Sequence, residues 1–183
     1  MRGRSVRWWC GAALVVAPLL ALLPATSRAQ QPAWKWTLPP GFPEPRVPAD
    51  NPMSTVKVEL GRHLFYDTRL SHDGPFSCAT CHQQSRAFAD DKGRGIGVTG
   101  QAHPRGPMSL ANVAYGVVLT WANPAMRRLE DQALVPMFGD DPIELGLRSD
   151  DPSFLARLRD EPVYQRMFPE AFPGDRDPIS ITN

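Results

Sequence analysis

Cysteine is scarce, with three in 183 residues, and one of these, Cys10, sits at the head of an N-terminal apolar run. Charge of one sign is lacking as well. Twenty Lys and Arg stand against nineteen Asp and Glu, a balance that points neither to nucleic acid nor to an acidic membrane surface. Alternating apolar and polar residues of the kind that mark strands are rare. The glycine-rich stretch Gly93-Arg94-Gly95-Ile96-Gly97-Val98-Thr99-Gly100 lacks both a preceding strand and a following Gly-Lys-Ser/Thr, which excludes a phosphate-binding fingerprint. Glycine there lets backbone pass close to a bulky neighbour.

What is present begins with those few thiols. Ser77-Cys78-Ala79-Thr80-Cys81-His82 is a Cys-x-x-Cys-His run, whose first use is covalent attachment of a c-type haem. Cys78 and Cys81 would add to the vinyl groups, and His82 would bind iron from the proximal side. Two rival readings exist, a thioredoxin-like redox pair and half of a zinc site. The first wants a βαβ pattern, and none is visible. The second usually wants a further Cys or His pair, and no cysteine follows Cys81. Haem edge is then the bulky neighbour expected for the glycine-rich loop.

Residues 1–29 carry the pattern of an export signal. Arg2, Arg4 and Arg7 precede an apolar run from about Cys10 to Leu23, and Ser27-Arg28-Ala29 supplies small residues for cleavage. Pro18 breaks the run, which is short for a membrane span, so an uncleaved anchor is the lesser alternative and no stable span is expected. Cleavage would leave 154 residues, with 16 basic against 19 acidic side chains and no thiol outside the haem motif. That suits export to the periplasm. The length fits one domain.

Residues 30–50 are rich in proline and hold Trp34 and Trp36, which predicts an extended arm laid on other parts of the protein. From residue 51 onward the fold class is all-α, with short helices and long Pro/Gly-rich loops. A capping side chain followed by proline recurs at Asn51-Pro52, Asn123-Pro124, Asp141-Pro142 and Asp151-Pro152, with Glu161-Pro162 a weaker fifth case. The first helix should end near Tyr66, with Val56, Leu60 and Leu64 on one face. Others are expected over Ser109–Tyr115, Pro124–Val135, Pro152–Arg159 and Pro162–Phe168. Asp177-Pro178 looks like one more helix start one turn from the last residue, which suggests a partial sequence.

An ordered series of segments carries a resemblance. It runs through Leu60-Gly61-Arg62-His63-Leu64-Phe65-Tyr66-Asp67, Arg69-Leu70-Ser71 and the Cys-x-x-Cys-His run. It continues through Ser109-Leu110-Ala111-Asn112-Val113-Ala114-Tyr115, Trp121, Leu129-Glu130-Asp131-Gln132-Ala133 and Glu144-Leu145-Gly146. In these the chain resembles the bacterial dihaem cytochrome c peroxidases and their MauG-like relatives. Trp36-Thr37-Leu38-Pro39-Pro40-Gly41-Phe42-Pro43 and Leu119-Thr120-Trp121-Ala122-Asn123-Pro124 look most like one subgroup. Its members are the methanobactin-associated (MbnH-like) enzymes, which oxidise tryptophan on a partner protein.

The resemblance implies a cytochrome c-like, peroxidatic haem domain over 51–183, followed in the family by a second haem domain. No second Cys-x-x-Cys-His occurs here, so one haem c is expected on this chain where the family has two. Glu144 matches the family's distal acid/base, which takes a proton from one peroxide oxygen and returns it to the leaving one. Read without the resemblance, Glu144 opens a helix, where a carboxylate suits the dipole. Gln132 matches the glutamine that orients peroxide. Trp121 matches the tryptophan that passes electrons between haems, against plain core packing as the ordinary alternative. Classical members hold calcium with an asparagine where Gly106 stands here, which argues against that ion. The place of the classical distal histidine falls near Val98, as in open-haem MauG-like enzymes. His103 is the rival ligand or, more simply, a surface group. His63 and His72 are packing or surface groups.

Three functions follow for test. The first is an exported peroxide-activating haem protein that draws electrons from a redox partner, either a cytochrome or a protein tryptophan. The second is a monohaem electron carrier with a thioether such as Met108 on the iron. The third is an inactive fragment of a dihaem peroxidase.

Overall fold

The first long helix shows how local chemistry sets the architecture. In the computed structural model, which describes residues 34–72, 74–121 and 123–181, α1 spans Thr55–Tyr66. Its start is three residues later than the Asn51-Pro52 pair predicts. The Ser54 hydroxyl accepts from Lys57 N at 3.3 Å and caps the helix. Asn51 is occupied elsewhere, accepting from Lys57 Nζ at 2.7 Å and donating to Glu130 at 2.9 Å. The apolar face is as expected: Leu60 is buried, and Val56 and Leu64 pack on the same core.

α2 is the single turn Cys78–Cys81, α3 spans Leu129–Phe138, α4 Ser153–Arg159 and α5 Pro162–Ala171. Short 3-10 turns lie at Thr68–Leu70, Gln84–Arg86 and Val113–Tyr115. The described residues contain no strand, and isolated bridges join Gln83 to Ala89 and Ile96 to Ala102. This is a helical, cytochrome c-like fold with long loops. The expected export signal at residues 1–29 lies outside the described residues.

The Cap-Pro pairs behave unequally, for visible reasons. Asp151 accepts from Ser153 N at 2.9 Å and leads into α4, and Pro162 opens α5 at its first helical position. Asn123 instead closes a turn, accepting from Ala125 N at 3.0 Å, while Leu119 N reaches Met126 O across the same loop. The helix predicted from Pro124 therefore begins only at Leu129. Asp141-Pro142 is a cis peptide in an irregular segment. The helix predicted over Ser109–Tyr115 shrinks to the 3-10 turn. Residues 177–181 form no helix: Ile179 is buried, and Arg159 binds both the Asp177 carboxylate and Ile179 O.

The core lies where α1, α4 and α5 meet. Leu60, Leu70, Leu147, Phe154, Leu158, Tyr164, Phe168, Ala171 and Ile179 form it, and each large side chain contributes roughly 1.5–3 kcal/mol by burial. At its edge the buried Tyr164 phenol donates to Asp67, which also accepts from Arg69 N at 2.8 Å and from the Arg69 guanidinium at 2.9 Å. That knot fixes the chain as it leaves α1 toward the Cys-x-x-Cys-His turn. The proline-rich segment rests on the body through Tyr115, whose hydroxyl donates to Pro43 O at 2.7 Å and whose ring meets Phe42 edge-on.

Candidate haem site

Ser71 shapes the approach to the site. It is fully buried, and its hydroxyl donates to Thr68 O while accepting from Gly74 N and Phe76 N. Beyond it, Ser77 N donates to Thr80 Oγ1 at 3.0 Å, and His82 N donates to Cys78 O at 2.9 Å. One helical turn thus presents Cys78, Cys81 and His82 together. Both thiols are half-buried and free, and burial pushes both upward from the ordinary thiol range.

The imidazole of His82 is fixed by its neighbours in sequence. Its Nδ1 lies 2.8 Å from Phe88 O. A carbonyl can only accept, so Nδ1 carries the proton and Nε2 is left as the ligating nitrogen. Phe88 O reaches this position because Ala87 and Phe88 both adopt left-handed backbone, with φ of 54° and 58°. The reversal is clamped by Phe88 N to Gln83 O and Gln83 N to Ala89 O, each at 2.9 Å, and by Ser109 Oγ to Ala87 O at 2.6 Å. Paired half-buried thiols beside a histidine held in this tautomer fit a covalent haem c, with His82 as its axial ligand.

The segment that carries Glu144 is assembled from distant parts of the chain. The glycine-rich stretch folds back on itself, with His103 N to Gly95 O at 2.8 Å and Gly95 N to Arg105 O at 3.0 Å. Val98 N then donates to Glu144 O at 2.9 Å. A Cβ on Gly97 would stand 1.9 Å from Ile143 O, so only glycine permits this approach. The bulky neighbour of Gly97 is thus the Ile143–Glu144 backbone. From the other side, Leu145 N donates to Pro136 O and Leu147 N to Met137 O, both at 2.9 Å, which ties the same segment to the end of α3.

Glu144 is half-buried on this irregular segment, not at a helix start, so a helix dipole plays no part in its chemistry. Burial raises its carboxyl above the ordinary value of 4.5, and the charges of His103 and His82 partly oppose the rise. Glu144 is in electrostatic reach of His82, Cys78 and Cys81.

His103 corrects the sequence expectation of a surface group. It is buried, and its Nε2–H donates to Ile143 O at 3.3 Å, while Nδ1 lies against Gly95. It braces the segment that carries Glu144. Trp121 is no core residue either. It is 57% exposed, with the Arg105 guanidinium 5.3 Å above its ring. Gln132 is half-buried in α3, where Pro136 lacks the N–H that would otherwise bond its carbonyl. Met108 is half-buried, and His63 and His72 are exposed. Gly106 abuts Lys92 O, which a Cβ would meet at 2.9 Å.

Sequence reasoning missed Ser71, Phe88 and the bracing role of His103. Ser71 lies within a recognised segment and Phe88 six residues past His82, but they act through a hydroxyl and a carbonyl, which carry no motif. In the sequence the third reads only as a rival iron ligand or a surface group.

Comparison with known proteins decides the family. The family model for di-haem cytochrome c peroxidase matches residues 55–183. The chain belongs to this family. It is 33% identical to the methylamine utilization protein MauG of Methylorubrum extorquens, over 93% of this chain and 47% of that protein. It is 35% identical to the cytochrome-c peroxidase IdrP1 of Denitromonas iodatirespirans, over 85% of this chain and 41% of that one. A crystal structure of a MauG-like protein associated with microbial copper homeostasis superposes with a TM-score of 0.79 at 50% identity, covering 82% of this chain and 43% of that one. The chain therefore spans less than half the length of these relatives.

Proposed function

We propose that this chain carries the peroxide-reacting haem domain of a MauG-type dihaem oxidoreductase that works in the periplasm and draws electrons from a protein partner. The observation that supports this most is the pairing of two walls. One is a histidine fixed by its Phe88 contact, and the other a partly buried carboxyl with a raised pKa within electrostatic reach of it. The haem, when bound, supplies the iron at which peroxide is reduced.

The residues divide the remaining work. Cys78 and Cys81 anchor the cofactor covalently, and His82 ligates through Nε2, its ring oriented by the Nδ1–H contact. Glu144 accepts a proton from one peroxide oxygen and delivers it to the other as water leaves. Its raised pKa narrows the gap to neutral pH and favours both halves of that transfer, which is typically worth about 10²–10⁴-fold in rate. Gln132 orients the peroxide with its side-chain amide. Trp121, exposed at the surface, would pass electrons from the family's second haem to the one held at His82. The resemblance to the methanobactin-associated subgroup favours a tryptophan on another protein as the group oxidised.

The test is the ferric absorption spectrum of haem-loaded protein before and after one equivalent of peroxide. The expected result is an open, high-spin spectrum that peroxide changes, with the change suppressed in Glu144→Gln. A low-spin spectrum indifferent to peroxide would sink the reading.

A further inference from the structure

The aromatic side chains on the His82 side form a continuous line to the surface. Phe88, whose carbonyl holds His82 Nδ1 at 2.8 Å, meets Phe65 edge-on at a ring separation of 6.0 Å. Phe65 meets Tyr66 at 5.2 Å, again edge-on. Tyr66 is 47% exposed, and its hydroxyl lies 3.4 Å from Gln84 Oε1. It also borders an open polar cavity of about 490 Å³ shared with Arg62, His63, Asp67 and Arg69. Packed rings and one hydrogen bond therefore lead from the axial ligand to a solvent-accessible phenol.

We propose that Tyr66 is an electron-relay residue, the surface end of this line, and the group oxidised when no protein partner supplies electrons. This rests on the peroxide-reacting role proposed above. The phenol gives up one electron toward the haem held at His82 and its proton to water in the adjoining cavity. Two such events reduce one hydrogen peroxide to two waters. The two neutral phenoxyl radicals then couple, forming one carbon–carbon bond between copies of the chain as dityrosine.

Charge favours Tyr66 over Trp121. Oxidised tryptophan first carries a positive charge, and the Arg105 guanidinium 5.3 Å above Trp121 opposes it. The tyrosyl radical is neutral once its proton has gone, so the nearby Arg62 imposes no such penalty. Tyr164 is only 1% exposed and its phenol donates to Asp67, and the Tyr115 hydroxyl donates to Pro43 O, whereas Tyr66 is the most exposed of the three, at 47%.

Haem-loaded protein is treated with peroxide without a donor, frozen for electron paramagnetic resonance, and digested for mass spectrometry. A tyrosyl signal and a Tyr66–Tyr66 cross-link are expected. Tyr66→Phe should abolish both, and Phe65→Leu should reduce them without changing haem loading or the absorption spectrum. A signal that survives Tyr66→Phe, or first oxidation at Trp121 or Tyr115, overturns the proposal. If peroxide leaves the haem spectrum unchanged, the peroxide-reacting role fails first. The path is then tried in zinc-substituted protein by flash photo-oxidation, where a Tyr66 radical supports the relay and its absence overturns it.

Discussion

The two walls of the proposed haem site differ in how the chain makes them. The His82 wall comes mainly from one contiguous stretch, Ser77 to Ala89, whose internal bonds join residues at most six apart, with Ser109 Oγ to Ala87 O the added clamp from outside it. The Glu144 wall brings together 95–105, 136–137 and 143–147 through contacts between residues up to about forty-six apart in sequence. A local turn needs little loop closure to form, whereas the opposite wall exists only after distant segments dock. The first wall is therefore robust and legible. The second depends on packing at single positions.

The largest effect should come from Glu144→Gln, which keeps the shape of the distal wall and removes its proton acceptor. Peroxide reaction should slow by about 10²–10⁴-fold with haem attachment intact. The pH profile sharpens this. Glu144 must be ionised to accept a proton, and burial raises its pKa despite the nearby His103 and His82. The acid limb of the rate should therefore lie above the ordinary glutamate value of 4.5, falling as pH drops, and should vanish in Glu144→Gln. The same raised pKa means that folding stability tied to this group is present at low pH and lost as pH rises through it. A limb at or below the ordinary value would place the proton transfer elsewhere.

Next in size is Gly97→Ala. The added methyl carbon would overlap Ile143 O, so one segment must move, at a cost of about 3 kcal/mol. Thermal unfolding should show the loss, and the peroxide response should weaken even where the protein still folds. Gly93→Ala, whose Cβ meets nothing within 4 Å, serves as the control from the same loop. Equal losses in the two variants would mean that general glycine flexibility, rather than close approach, governs the distal wall.

That contrast also explains what was legible. Cys78, Cys81 and His82 were readable because their chemistry needs a fixed spacing. The face of α1 was readable because Val56, Leu60 and Leu64 repeat every four residues. The glycine-rich loop was visible, but its neighbour was not, because no periodicity couples Gly97 to Ile143. Prolines misled wherever a nearer or local partner won. Ser54 took the cap from Asn51, and Asn123 closed its own turn. Trp121 and His103 exchanged their expected environments for the same reason: burial is decided by tertiary neighbours, Arg105 over one and Ile143 O on the other.

Tyr164→Phe probes the knot from which the His82 stretch departs. Burial alone would raise Asp67, but hydrogen bonds from Tyr164, Arg69 N and the Arg69 side chain outweigh it and hold the carboxyl below its ordinary 3.8. A depressed carboxyl stabilises the fold above its unfolded value, and that contribution is lost as pH falls from about 4 through the folded value. The variant should be about 1–2 kcal/mol less stable near neutrality. It should also lose part of the acid sensitivity in this window, measured by denaturant unfolding at several pH values. A stability–pH slope unchanged from the parent would remove Asp67 from the account.

The smallest change tests whether the two walls are independent. Thr80→Val removes the oxygen that accepts from the buried Ser77 N but keeps the side-chain shape. Leaving that donor unpaired should cost about 1 kcal/mol. His82 should keep its place, because Phe88 O and the Gln83–Ala89 clamp hold it separately, and thioether attachment at both cysteines adds further restraint. The acid limb assigned to Glu144 should then stay where it was, since distant sites without shared partners respond additively. If the limb moves with Thr80→Val, the walls are coupled through the haem plane. The local turn would then be a determinant of the distal carboxyl, not merely its counterpart.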